Sequence, residues 1–360
     1  MTQTGRRHFI GGLLAAGLMP APTWADAGSP AFLSAAATAD GAHMLCGIGA
    51  DLGIVFQRPL PGRGHAAAAH PTRPEAVAFA RRPGTFAVVI DCRSGDERAL
   101  LQAPPGRHFF GHGAFSQDGD LLYTTENDYE GGRGRIGIWD AAGGYERIGE
   151  FDSGGIGPHE IKRLPGTDTL VIANGGIDTH PDSGRAKLNI PTMRPNLAYI
   201  ERGDVVERVE PPEAMHKNSI RHLAVSAAGT VAFGMQWQGE GNPPALVGRH
   251  DRGGQMTFMQ ADDDALRQMA GYIGSVAFGP DGRSIAVTSP RGGRVQVFDS
   301  RTGALTASTA IADVCGVAAQ AGQIITTSGT GAIRRLGGRA REGDMRHPSL
   351  RFDNHLIALS

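Results

Sequence analysis

The chain is poor in the residues that mark most functional classes. It has three cysteines, Cys46, Cys92 and Cys315, widely spaced and odd in number. They form no CxxC zinc or redox motif and allow at most one disulfide. Aromatics are scarce, with 14 Phe, 5 Tyr and 3 Trp in 360 residues, so the core must be mostly Ala, Val, Ile and Leu. Neither charge sign dominates: 35 Lys and Arg face 36 Asp and Glu. The lack of a basic stripe argues against nucleic acid as a partner, and the lack of a charge block argues against a solvated tail. There is no P-loop and no GxSxG elbow. The GGRGRIG run at 131–137 has no helix after it, so it is not a dinucleotide fingerprint. The apolar stretch at 10–19 is too short to span a bilayer, and no other run reaches that length.

Turn formers are abundant instead, with 53 Gly and 22 Pro between short apolar runs. The clearest unit is 272–303. It reads as strand, Gly-Pro-Asp-Gly turn, strand, loop, strand, turn. The same plan recurs from Gly111, His159, Ser219 and Val314. Units of this size without helical periodicity between them predict an all-β fold, a β-propeller. A sandwich pair would not repeat the Asp-Gly pattern this often, and a β-helix uses shorter turns. The expected count is seven blades. Residues 32–60 supply only three strands, so residues 355–359 are expected to enter that first blade as its inner strand and close the ring.

Aligning the units places a histidine in one shared slot five times: His65, His112, His159, His222 and His355, in GHAAA, GHGAF, PHEIK, RHLAV and NHLIA. Gly274 and Gly316 occupy the slot in the other two. In a closed propeller this inner-strand slot points toward the axis. Neutral imidazoles converging there are ligands suited to copper, iron or zinc. The consecutive glycine blades suggest a channel left open on one side, as a reactive metal site needs. Glu160 follows His159 directly and by strand alternation should face away, as a structural residue. Glu126 and Asp128, in a loop on the same face, are candidate carboxylates for orienting an imidazole. Cys315 is a candidate soft ligand or simply a small apolar residue. His70 and His108 read as loop histidines. The longest loop, 175–196, carries His180, Asp182, Arg185, Lys187 and Arg194. Long loops of this kind bind ligands or act as lids. Its cations are expected to bind an anion or, preferably, to pair with the acidic segment 126–130.

Arg6-Arg7 before two apolar residues, the short apolar stretch, and Ala25-Asp26-Ala27 read as a twin-arginine export signal with cleavage near Gly28. The expected division is a signal at 1–27 and a propeller at 28–360, with periplasmic localisation.

The segments GHGAFS, ENDYEGGRGRIGIWD, GPHE, GGIDTHPDSGRAKLNIPTMRPNLAYIE and SIRHLAVS resemble an uncharacterised family of exported propellers, domain-of-unknown-function family 1513. The resemblance runs over nearly the whole mature chain and is most specific in the 175–196 loop. It implies a fold similar to quinoprotein-dehydrogenase-like and YVTN-repeat propellers. It also implies a setting beside imelysin-type iron-uptake proteins and a di-haem oxidoreductase, hence envelope metal handling.

The resulting expectation is a periplasmic, monomeric propeller with no membrane span after cleavage. Its axial histidines would hold copper or iron, ahead of zinc, in metal uptake with a redox option. One alternative is a non-enzymatic scaffold for an imelysin-like iron-uptake partner, with structural histidines. Another is a propeller hydrolase using metal-activated water. That class usually takes carboxylate and Asn ligands, which the histidine-rich slot disfavours.

Overall fold

The computed structural model describes residues 21–80, 85–184, 186–320, 322–337 and 344–359. The twin-arginine motif, Arg185 and the 81–84 loop lie outside them. Seven antiparallel sheets of four or five strands follow one another along the chain, as expected of a seven-bladed β-propeller. Among the described residues no helix is long and apolar enough to cross a membrane.

The first blade is built from Phe32–Thr38, His43–Ile48 and Ile54–Leu60. The C-terminus supplies its innermost position in two pieces, Leu350–Phe352 and Ile357–Ala358, both antiparallel to Phe32–Thr38. The closure is therefore as the repeat register required, with one refinement. His355 lies in the break between the two pieces rather than in a continuous strand.

The hairpin turns between first and second strands of the third and sixth blades follow from their sequences. In the third blade the Asp118 carboxylate accepts from Asp120 N at 3.0 Å and Ser116 Oγ at 2.6 Å, fixing the SQDGD turn. In the sixth, Asp281 accepts from Arg283 N at 2.9 Å. Short polar side chains that bond their own backbone two residues on favour such turns.

Neighbouring blades pack through small aliphatic residues and a few rings. Between the second and third blades, Phe79, Phe109 and Trp139 join Val77, Val89 and Leu122 in one buried cluster. Phe79 and Phe109 are fully enclosed, their rings 6.2 Å apart and tilted by 76°. Each such ring contributes roughly 1.5–3 kcal/mol by leaving water. Since these clusters lie between blades, the axis itself need not be apolar.

Candidate metal centre

The inner strands lose their regular register at the slot. In the second blade Gly64 pairs with Ala80 and Ala67 with Ala78, so two residues, His65 and Ala66, oppose one. In the third, three residues ending in His112 oppose Thr125 alone. In the fourth, His159 is the extra residue between Pro158 and Glu160. In the fifth, the shift falls between Ile220 and His222. The seventh has the same irregularity at Cys315 and Gly316. Bulges of this kind bend a strand and re-aim a side chain. Hydroxyls on adjacent strands hold the displaced backbone: Thr125 Oγ1 donates to the His112 carbonyl at 3.2 Å, and Ser34 Oγ to the His355 carbonyl at 2.8 Å.

The structure brings all five slot histidines together. Ring centroids are 5.0 Å apart for His65 and His112, 5.1 Å for His112 and His159, and 4.9 Å for His159 and His222. His222 and His355 are 5.1 Å apart, and His355 and His65 4.7 Å, which closes the circle. Two overlapping groups hold their ligand atoms within 4.8 Å of one another: His65 with His112 and His159, and His112 with Glu160, His222 and His355. His112 belongs to both.

The chemistry of the donors suits a transition metal. Burial pushes the imidazoles of His112, His159 and His355 well below their usual pKa, and the neighbouring rings or cations push them further. They are therefore neutral near pH 7, the form that binds metal. His112 Nε2, His159 Nδ1, His222 Nε2 and His355 Nε2 are enclosed without a hydrogen-bond partner. Each orphaned nitrogen costs about 1–3 kcal/mol if nothing meets it. A buried histidine away from the axis contrasts with this. His250 meets Tyr199 Oη at 2.7 Å.

Glu160 corrects the sequence reading. The bulge at His159 cancels the alternation that would have turned Glu160 away. Its carboxylate is 4 % exposed and faces the axis. Oε2 lies 3.4 Å from His222 Nδ1, an ion-pair distance without hydrogen-bond alignment, and accepts from Leu223 N at 3.1 Å. Oε1 lies 3.0 Å from Lys162 Nζ. Burial alone would raise this carboxyl, but Lys162 and then His222 outweigh it and hold it below the ordinary carboxylate range. The one sequence signal was adjacency to His159, and a strand bulge is not legible in a single sequence.

The remaining candidates stand apart from the ring. Glu126 and Asp128 are strand residues at the end of Leu121–Asp128, not loop residues. Glu126 is bound by Arg147 at 2.9 Å and Asp128 by Arg133 at 2.9 Å, so neither carboxylate orients a slot imidazole. Cys315 Sγ donates to the Asp313 carbonyl at 3.2 Å, and burial pushes its thiol up to about 12. It is a small buried residue outside both donor groups. Arg194 pairs with Glu210 at 2.6 Å and Lys187 with the Gln238 amide, rather than with the segment 126–130. His180 does approach that segment, 3.7 Å from Glu130, and the Thr179 carbonyl accepts from Asn127 Nδ2 at 3.0 Å.

The glycine side is filled rather than open. A Cβ on Gly316 would sit 2.6 Å from Leu356 N and 2.8 Å from the His355 carbonyl carbon. The closing segment occupies the space that a side chain would take. At Gly274 the Pro290 ring does so, 2.8 Å from the same virtual atom.

No curated protein is detectably similar to this sequence. A family model described as a protein of unknown function matches residues 58–359, from the third strand of the first blade through the closing strand. The chain, a propeller with a buried His and Glu cluster able to hold a metal ion, belongs to that family, DUF1513.

Proposed function

We propose that this protein binds copper or iron at the axial histidines and serves in metal handling in the bacterial envelope. The observation that carries the reading is the set of orphaned, neutral imidazole nitrogens converging from separate blades. His112, His222 and His355 with Glu160 would form one donor set, and His65, His112 and His159 the other. Imidazole-rich sites suit copper, iron and zinc, and the carboxylate adds a hard oxygen donor that iron and zinc accept well. A bound ion would supply redox or Lewis-acid chemistry. The protein's own part is to hold the rings rigid, exclude bulk water, and keep His112, His159 and His355 unprotonated through burial.

The decisive measurement is elemental analysis of untagged protein purified after native export. Stoichiometric copper or iron is expected. Metal-free protein that also fails to bind either ion in titration would replace this reading with a scaffold for an envelope iron-uptake partner. Periplasmic placement rests on the Arg6-Arg7 motif. Changing both to Lys should hold the precursor in the cytoplasm, and normal export of that variant would reject the route.

A further inference from the structure

The loops joining second and third strands share the face on which the inner strands begin. Lys187 comes from that loop of the fourth blade, Gln238 from the fifth and Arg291 from the sixth. Arg221 rises beside them on the inner strand Asn218–Val225, one residue before His222. Gln236 pairs with Ser219 on one side and bridges to Tyr272 on the other, which draws the Arg221, Gln238 and Arg291 segments together on this face.

Lys187 and Arg291 are held by neutral groups. Lys187 Nζ donates to Gln238 Oε1. Arg291 lies over the Tyr272 ring at 4.5 Å, and the Tyr272 hydroxyl accepts from Asn354, the residue before His355, at 3.3 Å. Arg221 Nε donates to Ser219 Oγ at 2.9 Å. Neither Lys187 nor Arg291 has a carboxylate within ion-pair distance among the described residues. The charges that act on the Lys187 ammonium, besides desolvation, are the guanidiniums of Arg221 and Arg291. Two like charges without a carboxylate partner, brought together from two blades, oppose one another, and a fold keeps such an arrangement at a cost that an anion would remove.

We propose that this mouth, on the face where the inner strands begin, is a binding site for a multiply charged oxyanion, held by Lys187 and Arg291 with Arg221 beside them. Guanidinium groups match carboxylate and phosphate oxygens in pairs, and the lysine adds a point charge. The anion's place as the carrier that delivers metal to the ring rests on the axial-site reading; the anion site itself does not.

Calorimetric titration of the full metal-free protein at low salt, with citrate and with inorganic phosphate as probes, tests it. At least one probe should bind, and added chloride should weaken that binding. The double variant Lys187→Gln/Arg291→Gln, altered only on loops, should lose about tenfold or more in affinity with an unchanged melting temperature. Citrate alone would mark a carboxylate ligand, and phosphate alone a phosphate ligand. Failure of both probes to bind, or undiminished binding by the double variant, would overturn the proposal. Titration with copper(II) chloride alone separates the two readings. The double variant should keep metal binding, and His112→Ala should keep anion binding. Metal without anion binding sinks only the mouth site; anion without metal binding sinks only the ring.

Discussion

The two halves of the axial ring solve one geometric problem in different ways. Four blades present a bulged strand whose imidazole enters the channel, and the first presents His355 from the break in its closing segment. Two blades present glycine, and there the channel is filled by the closing backbone and by Pro290. The lesson is that a missing side chain need not mean empty space. Glycine at 316 lets residues 355 and 356 approach closely enough for His355 to reach the ring from the first blade. The glycine half therefore builds the histidine half. A similar close approach occurs at Gly111, whose φ is +101° and whose virtual Cβ would lie 2.6 Å from His65 Cδ2.

The sharpest way to break this comparison is at His112, which both donor groups share. His112→Ala should abolish stoichiometric metal, whereas His65→Ala removes one group and should leave measurable binding. Metal content by mass spectrometry of the folded proteins decides it, and equal retention by both variants would reject the shared-ligand geometry.

Acid should act next most strongly, and on the histidine half alone. His112, His159 and His355 have folded pKa values well below 6.5, so the unfolded chain binds protons that the folded ring refuses. Their contribution is fully present above about pH 6.5 and is lost as pH falls below it. Each imidazole adds at most about 1.4 kcal/mol per pH unit in that window. The metal-free protein should melt progressively lower from pH 6.5 to 5, and His355→Gln should flatten the slope by about one proton. A melting temperature independent of pH over that range would contradict neutral, buried rings.

Gly316→Ala tests the other half. The new methyl meets backbone rather than a movable side chain, and overpacking of this kind costs about 1–3 kcal/mol. Chemical denaturation should register that loss together with weaker metal binding, because the closing segment carries His355. At the small end, Arg194→Ala removes a pair whose arginine is largely exposed. Its effect should stay below about 1 kcal/mol, and metal content should not change.

Much of the fold was legible because period and turn chemistry are local. The Asp-Gly turns, the short apolar runs and the recurring slot are visible residue by residue, and they gave blade number, closure and the five histidines. Glu160 was not legible, since its direction depends on a bulge at the preceding residue. The partners of Lys187 and Arg194 were not legible either. Long side chains choose among neighbours brought near by other blades, here Gln238 and Glu210 rather than the segment 126–130.

By itself, then, the sequence determined the repeat, the number of blades and the five histidines that share one slot, because those follow from recurrence and turn chemistry within one unit. Only the tertiary structure decided which groups meet at the axis, which stay neutral, and that the glycine side is packed with backbone. Those outcomes depend on burial and on distances between residues hundreds of positions apart, and closure of the ring is what sets them.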